Sequence, residues 1–228
     1  MNGTMLNIKG AIFDMDGTLV DSLTFWEEFW PKAGKEFLGI DNFTVGEEAD
    51  KAVRTMFAAQ AMPYVNLLFH FCKTDKEFFD YFISEIREFY GKVKTKPGAI
   101  ELLDHLSALG VKMCVASATD LENLNYAIEI CGLSSYFETT MSCADIGAGK
   151  DKPDIYIAAR NALGLNAEDI CVFEDSYVAL ETAKKAGFQT VGIYDKYNYG
   201  QDRLKAASLI YIKEGEPLST VNEAITNI

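Results

Sequence analysis

The chain carries two kinds of hydrophobic pattern, and they divide it into parts of different character. Short continuous apolar runs, which are typical of strands buried on both faces, occur near the start and again throughout the second half. Between about residues 22 and 92, the apolar positions instead recur at the spacing of amphipathic helices. The pattern predicts alternating strands and helices that are interrupted by a purely helical segment.

The first apolar run, residues 11–13, ends abruptly at two acids, Asp14 and Asp16. Strand alternation places these two carboxylates on the same side of the chain. Gly17 permits a tight turn directly after them, and Thr18 supplies a hydroxyl. We therefore expect chemistry at the end of a rigid strand.

The second half of the chain, after a Pro-Gly linker at residues 94–98, alternates helices and strands up to the last apolar run. Strands are predicted at residues 111–117, 138–141, 169–173, 189–193 and 209–212. Helices are predicted at residues 99–109, 121–131, 155–163 and 177–186, with one more before the last strand. Such alternation predicts a doubly wound, Rossmann-like α/β fold with a parallel sheet.

The interrupting segment is predicted to contain several helices and no strand. They begin with an aromatic-rich helix near residues 25–37 and continue with helices at residues 47–60, 64–72 and 75–89. Pro63 is taken as the break between the second and the third, and Thr74 with Glu77 as a capping box that starts the last. The predicted domains are an α/β core, residues 1–21 and 93–228, and an all-helical insertion, residues 22–92.

Charge and cysteine content restrict the partners and the compartment. The formal net charge of −13 and the absence of any Lys/Arg run argue against a nucleic-acid partner. The five cysteines lack paired or metal-type spacing, which favours free thiols in a reducing compartment. Neither a signal-peptide pattern nor a membrane-length apolar stretch is present. We expect a cytoplasmic protein without membrane contact, either a monomer or a weak dimer.

Polar side chains follow the predicted strands, at the edge where open α/β sheets bind their ligands. The candidates are Asp14, Asp16, Ser117, Glu174 and Asp175, together with a loop that contains Lys150 and Lys152. Carboxylates that converge on one point repel each other unless a cation lies among them, and Mg²⁺ prefers such oxygen ligands. A nearby lysine and hydroxyl would hold phosphate oxygens, while one carboxylate attacks phosphorus and a second moves a proton.

Four stretches, FDMDGTLVDS, VASAT, GKDKPDIY and VFEDS, resemble the four motifs of the haloacid dehalogenase-like (HAD) hydrolases. They occur in the order that this family uses and together span nearly the whole chain. The resemblance implies an α/β core with an inserted helical cap of the C1 type, similar to β-phosphoglucomutase-like and phosphoglycolate phosphatase-like members. Such a cap is expected to close over the phosphoryl site and to select the leaving group.

The resemblance also implies a role for each motif residue. Asp14 would be the nucleophile, and Asp16 the general acid/base, whose backbone carbonyl also binds Mg²⁺. The implied phosphate-binding residues are Gly17, Thr18, Ser117, Ala118 and Lys150. The implied metal-binding residues are Asp14, Asp16, Glu174 and Asp175. The family pattern places the lysine before x-x-Pro-Asp, which selects Lys150 over Lys152.

The leading hypothesis is a Mg²⁺-dependent phosphatase that acts on a small phosphorylated metabolite, such as a sugar phosphate, through an aspartyl-phosphate. The first alternative is a sugar phosphomutase of the β-phosphoglucomutase type. Against it, this chain has Thr18 and Leu19 where that relative has Val and Ile, and Trp26 where it has a hinge histidine. A phosphoacceptor signalling domain and a non-catalytic scaffold are further alternatives. The DxD spacing with its long insertion disfavours the former, and the intact motifs disfavour the latter.

Three residues of the insertion, Trp26, Trp30 and Arg54, are candidates for the wall of a substrate pocket. For the two tryptophans, packing between the helices is the default interpretation, because aromatic residues at helical spacing usually belong to a core. The sequence does not decide between these roles, and none of the three is counted as a site residue.

Overall fold

The computed structural model describes residues 5–226 and has a parallel sheet at its centre. The strands are β1 Leu6–Asn7, β2 Gly10–Phe13, β3 Lys112–Ser117, β4 Thr139–Ser142, β5 Ile170–Glu174, β6 Gln189–Ile193, β7 Ile210–Ile212 and β8 Ile225–Thr226. Six of them form the sheet in the order β4-β3-β2-β5-β6-β7, while β1 and β8 form a separate parallel pair. The chain winds in both directions from β2, so the predicted doubly wound α/β fold is confirmed.

The helices flank this sheet and fill the long segment between β2 and β3. They are α1 Phe25–Ala33, α2 Glu47–Val53, α3 Ala58–Phe69, α4 Asp75–Tyr90, α5 Ala99–Ala108, α6 Leu121–Ile130, α7 Cys143–Ile146, α8 Asp154–Leu163, α9 Tyr177–Lys185 and α10 Gln201–Ala207. A π-helical turn, Gly34–Leu38, extends α1. From α5 to β7, the strands and helices that were predicted with bounds end within one residue of the observed ends, whereas α7 has no predicted counterpart.

Neighbouring residues of β2 pack into different halves of the core. Phe13 lies in the larger hydrophobic cluster, where its ring stacks on that of Phe173 at a centroid distance of 4.5 Å. Ile12 points to the opposite face and belongs to the smaller cluster, with residues of α8 and α9. Because successive side chains of a strand alternate between faces, a strand covered on both sides must be apolar throughout. This explains the continuous apolar runs in the sequence.

Helices α1 to α4 form the predicted helical insertion, and aromatic rings hold them together. Trp26 stacks on Trp30 at 5.3 Å and on Phe82 of α4 at 5.8 Å. Phe71 and Phe78 stack at 4.5 Å. The division into a cap of residues 22–92 and a core of residues 1–21 and 93–228 stays a prediction. Residues 1–4 and 227–228 of that core lie outside the described residues.

The predicted helix of residues 47–60 is wrong, as is its break at Pro63. Helix α2 ends at Val53, because the amides of Thr55 and Met56 bond to carbonyls three residues back and tighten the chain into a turn. Pro63 lies inside α3, at the cost of one backbone hydrogen bond. Burial of Met62 and its neighbours on that helix offsets this cost.

The short pair of β1 and β8 is absent from the sequence-based prediction. Each strand has only two residues, and Leu6 pairs with Ile225 at the other end of the chain. Two residues are too few to show an alternating pattern. In the described part of the chain, no helix has both the length and the apolar character needed to cross a bilayer.

The predicted capping box at the start of α4 is confirmed. The amide of Glu77 donates to Thr74 Oγ1 at 3.2 Å, and the amide of Thr74 donates to Glu77 Oε2 at 3.1 Å. Two amides that have no partner within the helix are thereby satisfied. The cap fixes where the last helix of the insertion begins.

We expect Thr74→Ala to lower the free energy of unfolding by about 1 kcal/mol, because one helix amide loses its acceptor. Urea denaturation followed by circular dichroism measures this change. Lys76→Ala is the matched control on the same helix, since it removes only an exposed ion pair with Asp80. The control should cost less than about 0.5 kcal/mol, and equal losses in the two variants would contradict the assigned role of the cap.

Candidate active site

Two neighbouring strands bring acidic residues to one point at their carboxyl ends. Phe13 of β2 lies in register with Phe173 of β5, so the residues that follow emerge side by side. Oxygen atoms of Asp14, Glu174 and Asp175 all lie within 4.8 Å of one another, and the three residues are buried. The parallel register of two strands therefore imposes close contact on three carboxylates.

Lys150 is the cation that the fold provides for this cluster. Its Nζ lies 2.5 Å from Asp14 Oδ1 and 2.5 Å from Glu174 Oε1. Burial by itself would lower the pKa of Lys150, but Asp14 and Glu174 raise it well above its usual value. The ammonium group is therefore charged. Lys152, the alternative in the same loop, is exposed to solvent.

One lysine does not balance the three carboxylates. Burial raises the pKa of Asp14 to about 7, with a further contribution from Glu174 that Lys150 opposes. Burial, followed by repulsion from Asp14 and Glu174, raises the pKa of Asp175 well above its usual value. Excess negative charge on hard oxygen donors is what a divalent cation such as Mg²⁺ compensates. The residues present thus fit the predicted metal ion.

Asp175 is oriented by two further side chains. Thr18 Oγ1 donates to its Oδ1 at 3.1 Å, and Asn198 Nδ2 donates to its Oδ2 at 2.8 Å. Gly17 has a φ of +77°, and a Cβ at this position would clash with Asp175 Oδ2. Only glycine therefore fits there without displacing the carboxylate. Hydrogen bonds of this kind fix the direction in which a metal ligand points.

Asp16 has different surroundings from Asp14. Its carboxylate accepts hydrogen bonds from Ser22 Oγ at 2.6 Å, Thr119 Oγ1 at 2.7 Å and Tyr90 OH at 2.8 Å. Burial raises the pKa of Asp16, repulsion from Asp14 adds to this, and the three hydroxyls oppose it. A carboxyl group with a raised pKa is suited to carry a proton that it later donates.

A single cavity joins these residues to the helical insertion. Its walls include Asp14, Asp16, Ser117, Ala118, Lys150, Glu174 and Asp175. Its volume of about 150 Å³ is comparable to cavities that admit a benzene-sized molecule. Gly17 and Thr18 are not part of the wall and contact Asp175 instead, so their predicted contact with phosphate stays a prediction.

The sequence matches the family described as haloacid dehalogenase-like hydrolase over residues 8–187. The chain belongs to this family. The predicted family, and with it the prediction of an enzyme, are confirmed. The motif roles within the site have not been tested and stay predictions.

Similar proteins agree with this assignment. A phosphorylated carbohydrates phosphatase of Thermotoga maritima is 24% identical, over 96% of this chain and all of its own length. Hexitol phosphatase A of Escherichia coli is 27% identical, over 82% of this chain and 84% of its own. The structure of a β-phosphoglucomutase of Clostridium difficile superposes with a TM-score of 0.77 and covers 95% of this chain and 96% of its own. With 16% identity, this last likeness supports the HAD-like fold alone.

Sequence analysis missed three polar residues of this HAD-like site. Thr119 lies inside the VASAT stretch, where it was given no role, and Tyr90 is the last residue of α4. Asn198 lies in the loop after β6 and reaches Asp175 across the sheet edge. Thr119 could have been found from its position next to Ser117. For Tyr90 and Asn198, the sequence contains no comparable signal.

We expect the metal-free protein to lose stability as the pH rises from about 4 to about 7. In this window, the folded state holds the Asp14 proton while the unfolded state releases it, so a rising pH favours unfolding. Each such group contributes a slope of up to about 1.4 kcal/mol per pH unit. Urea denaturation with a chelator present, across this pH range, should show a shallower slope for Asp14→Asn. Identical slopes would exclude the assigned cause.

Mg²⁺ is expected to raise the melting temperature, because an ion that binds only the folded state stabilises that state. The gain in the free energy of unfolding is about 2.7 kcal/mol when the free ion exceeds its Kd a hundredfold. Asp175→Asn should remove most of this shift. Its metal-free form should melt higher than the metal-free wild type, because asparagine lacks the raised carboxyl pKa that lowers stability at neutral pH. Asp41→Asn changes an exposed acid of the insertion and serves as the control. If Mg²⁺ stabilised Asp175→Asn as much as wild type, the assigned metal site would be wrong.

Proposed function

We propose that this HAD family member is a Mg²⁺-dependent phosphatase that removes phosphate from a small phosphorylated metabolite, a sugar phosphate or a similar compound, through an aspartyl-phosphate. The observation that carries the proposal is the contact of Lys150 with Asp14, next to Glu174 and Asp175 and within one cavity. The named activities of the relatives support the same reaction class.

Asp14, Glu174 and Asp175 would hold the metal ion, together with the backbone carbonyl of Asp16. When bound, Mg²⁺ would supply positive charge against the phosphate oxygens. Lys150 Nζ holds Asp14 in a fixed direction, and Ser117 Oγ lies buried at the end of β3. In the proposed site, this ammonium group and hydroxyl bind the phosphate oxygens of the substrate.

The proposed reaction has two steps, in which Asp14 and Asp16 have separate tasks. An oxygen of Asp14 attacks phosphorus, the bond from phosphorus to the leaving oxygen breaks, and Asp16 protonates that oxygen. Water then attacks the aspartyl-phosphate, Asp16 takes its proton, and phosphate leaves with Asp14 restored. The raised pKa of Asp16 favours the protonated form that the first step requires.

Asp16 is suited to proton transfer because three hydroxyl groups fix its orientation. Two of the donors, Ser22 and Tyr90, lie at the two ends of the helical insertion, and the third, Thr119, follows β3. A fixed carboxyl group loses little entropy on reaching the leaving oxygen. The proton donor is thus held jointly by the insertion and the sheet.

The cytoplasmic location is part of this proposal. All five cysteines of the chain are free, and three of them are buried. Free thiols persist in a reducing compartment, where a small phosphorylated metabolite would be the partner. The expected oligomeric state, a monomer or a weak dimer, stays a prediction.

The phosphomutase alternative has no observation of its own in its favour. Structures of β-phosphoglucomutases resemble this chain at low identity, which supports the fold and not the reaction. Incubation with β-glucose 1-phosphate and a bisphosphate activator separates the two reactions. Release of inorganic phosphate supports the hydrolase, whereas an isomerised sugar phosphate would overturn it.

We expect Asp14→Asn to abolish Mg²⁺-dependent hydrolysis of p-nitrophenyl phosphate, because the nucleophile is lost. Lys150→Met should lower kcat/KM by about a hundredfold or more, as is typical when one group that stabilises transition-state charge is removed. Lys152→Met is the matched control, since this lysine lies two positions away in the same loop and is exposed. It should retain wild-type activity. Full activity in Asp14→Asn, or equal losses in the two lysine variants, would contradict the proposed mechanism.

A further inference from the structure

The two sides of the active-site cavity differ in chemistry. The sheet side carries the carboxylates and Lys150, which are assigned to phosphate and metal. The side formed by the helical insertion is largely apolar. Its wall includes Trp26, Val53, Met62, Phe82 and Ile86. The leaving group of a bound phosphate ester would face this apolar side.

Most polar side chains that the insertion contributes to the wall are already hydrogen-bonded. Ser22 and Tyr90 donate to Asp16, and Thr55 Oγ1 donates to the carbonyl oxygen of Ala52. They offer little to the hydroxyl groups of a substrate. Burial of hydroxyls without new partners is costly, so this surface is poorly suited to a polyol.

Arg54 differs from these three residues. Its side chain lines the cavity and is only 14% exposed, and its Nε donates to Asp50 Oδ2 at 2.7 Å. Its Nη1 is buried and has no hydrogen-bond partner within the described residues. A buried guanidinium N–H without an acceptor is costly and rare in folded proteins. A ligand in the cavity can supply the missing acceptor.

The guanidinium group is held in place before any ligand binds. Asp50 also accepts hydrogen bonds from Trp30 Nε1 at 3.2 Å and from Tyr199 OH at 2.9 Å. The Arg54 guanidinium carbon lies 5.6 Å from the ring of Tyr199 and 6.0 Å from that of Trp26. A fixed planar fork of donors is well suited to a carboxylate or a second phosphate.

We propose that Arg54 binds an anionic group on the leaving-group part of the substrate, and that the remainder of the leaving group is apolar. This inference rests on the proposed phosphatase function and narrows its substrate class. An aromatic or alkyl body packs against Trp26 and Phe82, and its anionic end pairs with Arg54. Hydroxyl-rich sugar phosphates without a second anionic group are then poorer substrates.

Two phosphate esters with similar leaving groups test this proposal in the wild-type protein. We expect kcat/KM for meta-carboxybenzyl phosphate to exceed that for benzyl phosphate by about tenfold, the effect of one charge-assisted hydrogen bond. Glycerol phosphate, whose leaving group is small and hydroxylated, should be used less well than either. This comparison requires no variant and is independent of any folding defect.

Variants then assign the preference to one residue. In Arg54→Met, the ratio of the two kcat/KM values should fall to about one, and Arg54→Lys should retain part of it, because the charge remains without the fork. Circular dichroism melting curves verify folding. Arg203→Met is the matched control, since Arg203 also pairs with a carboxylate, that of Glu181, and lies 4.2 Å from a tyrosine ring outside the cavity. It should keep the wild-type ratio.

Each remaining outcome counts against a specific claim. Equal kcat/KM values for the two benzyl esters in the wild type would overturn the proposed anionic subsite. A ratio that persists in Arg54→Met would overturn the role of Arg54. An equal loss on both esters would also overturn it, because Arg54 would then act on the transferred phosphate. If the wild type hydrolysed no phosphate ester at all, the proposed phosphatase function itself would fail.

Discussion

Repulsion among three buried carboxylates is the constraint on which the rest of the site depends. Asp14, Glu174 and Asp175 cannot separate, because the pairing of β2 with β5 fixes where each strand ends. Away from water such charges are costly, and both raised pKa values report that cost. Lys150 compensates part of the charge, and a bound divalent cation would compensate the rest. In the proposed function, this loss of stability would prepare the site to bind a cation and a phosphate.

The sheet edge keeps these charges in place with a shell of neutral donors. The amide of Ser176 donates to Glu174 Oε2 at 3.2 Å, and Tyr156 OH donates to its Oε1 at 3.3 Å. Asn198 holds Asp175 in the same way. Asp16, only two residues from Asp14, is surrounded by hydroxyl groups instead of a lysine. Burial raises the pKa of both acids, but Lys150 contacts Asp14 whereas hydroxyl groups contact Asp16. In the proposed mechanism, this difference lets Asp14 attack and Asp16 donate a proton.

The helical insertion contributes a largely apolar wall to the cavity, whereas most of the charged lining residues lie on the sheet side. Aromatic rings pack its helices together, and Asp50 connects it to the sheet domain through the hydroxyl of Tyr199. The same Asp50 orients Arg54, so the contact between insertion and core also positions a buried donor that has no partner within the described residues. In the proposed function, reaction chemistry would come mainly from the sheet edge, whereas the choice of leaving group would depend on the insertion.

The sequence by itself determined the features that leave a local pattern. Buried strands required continuous apolar runs, and acids at their ends marked the site, so the α/β fold and the group around Asp14 could be predicted. Tertiary structure alone decided the contacts of Tyr90 with Asp16 and of Asn198 with Asp175, because one polar side chain that reaches a distant partner leaves no periodic signal. It also decided the turn between α2 and α3, and the continuation of α3 through Pro63, where packing overrode the helix-breaking tendency of proline. Local patterns report burial and turns, while the partners of individual polar groups depend on long-range packing.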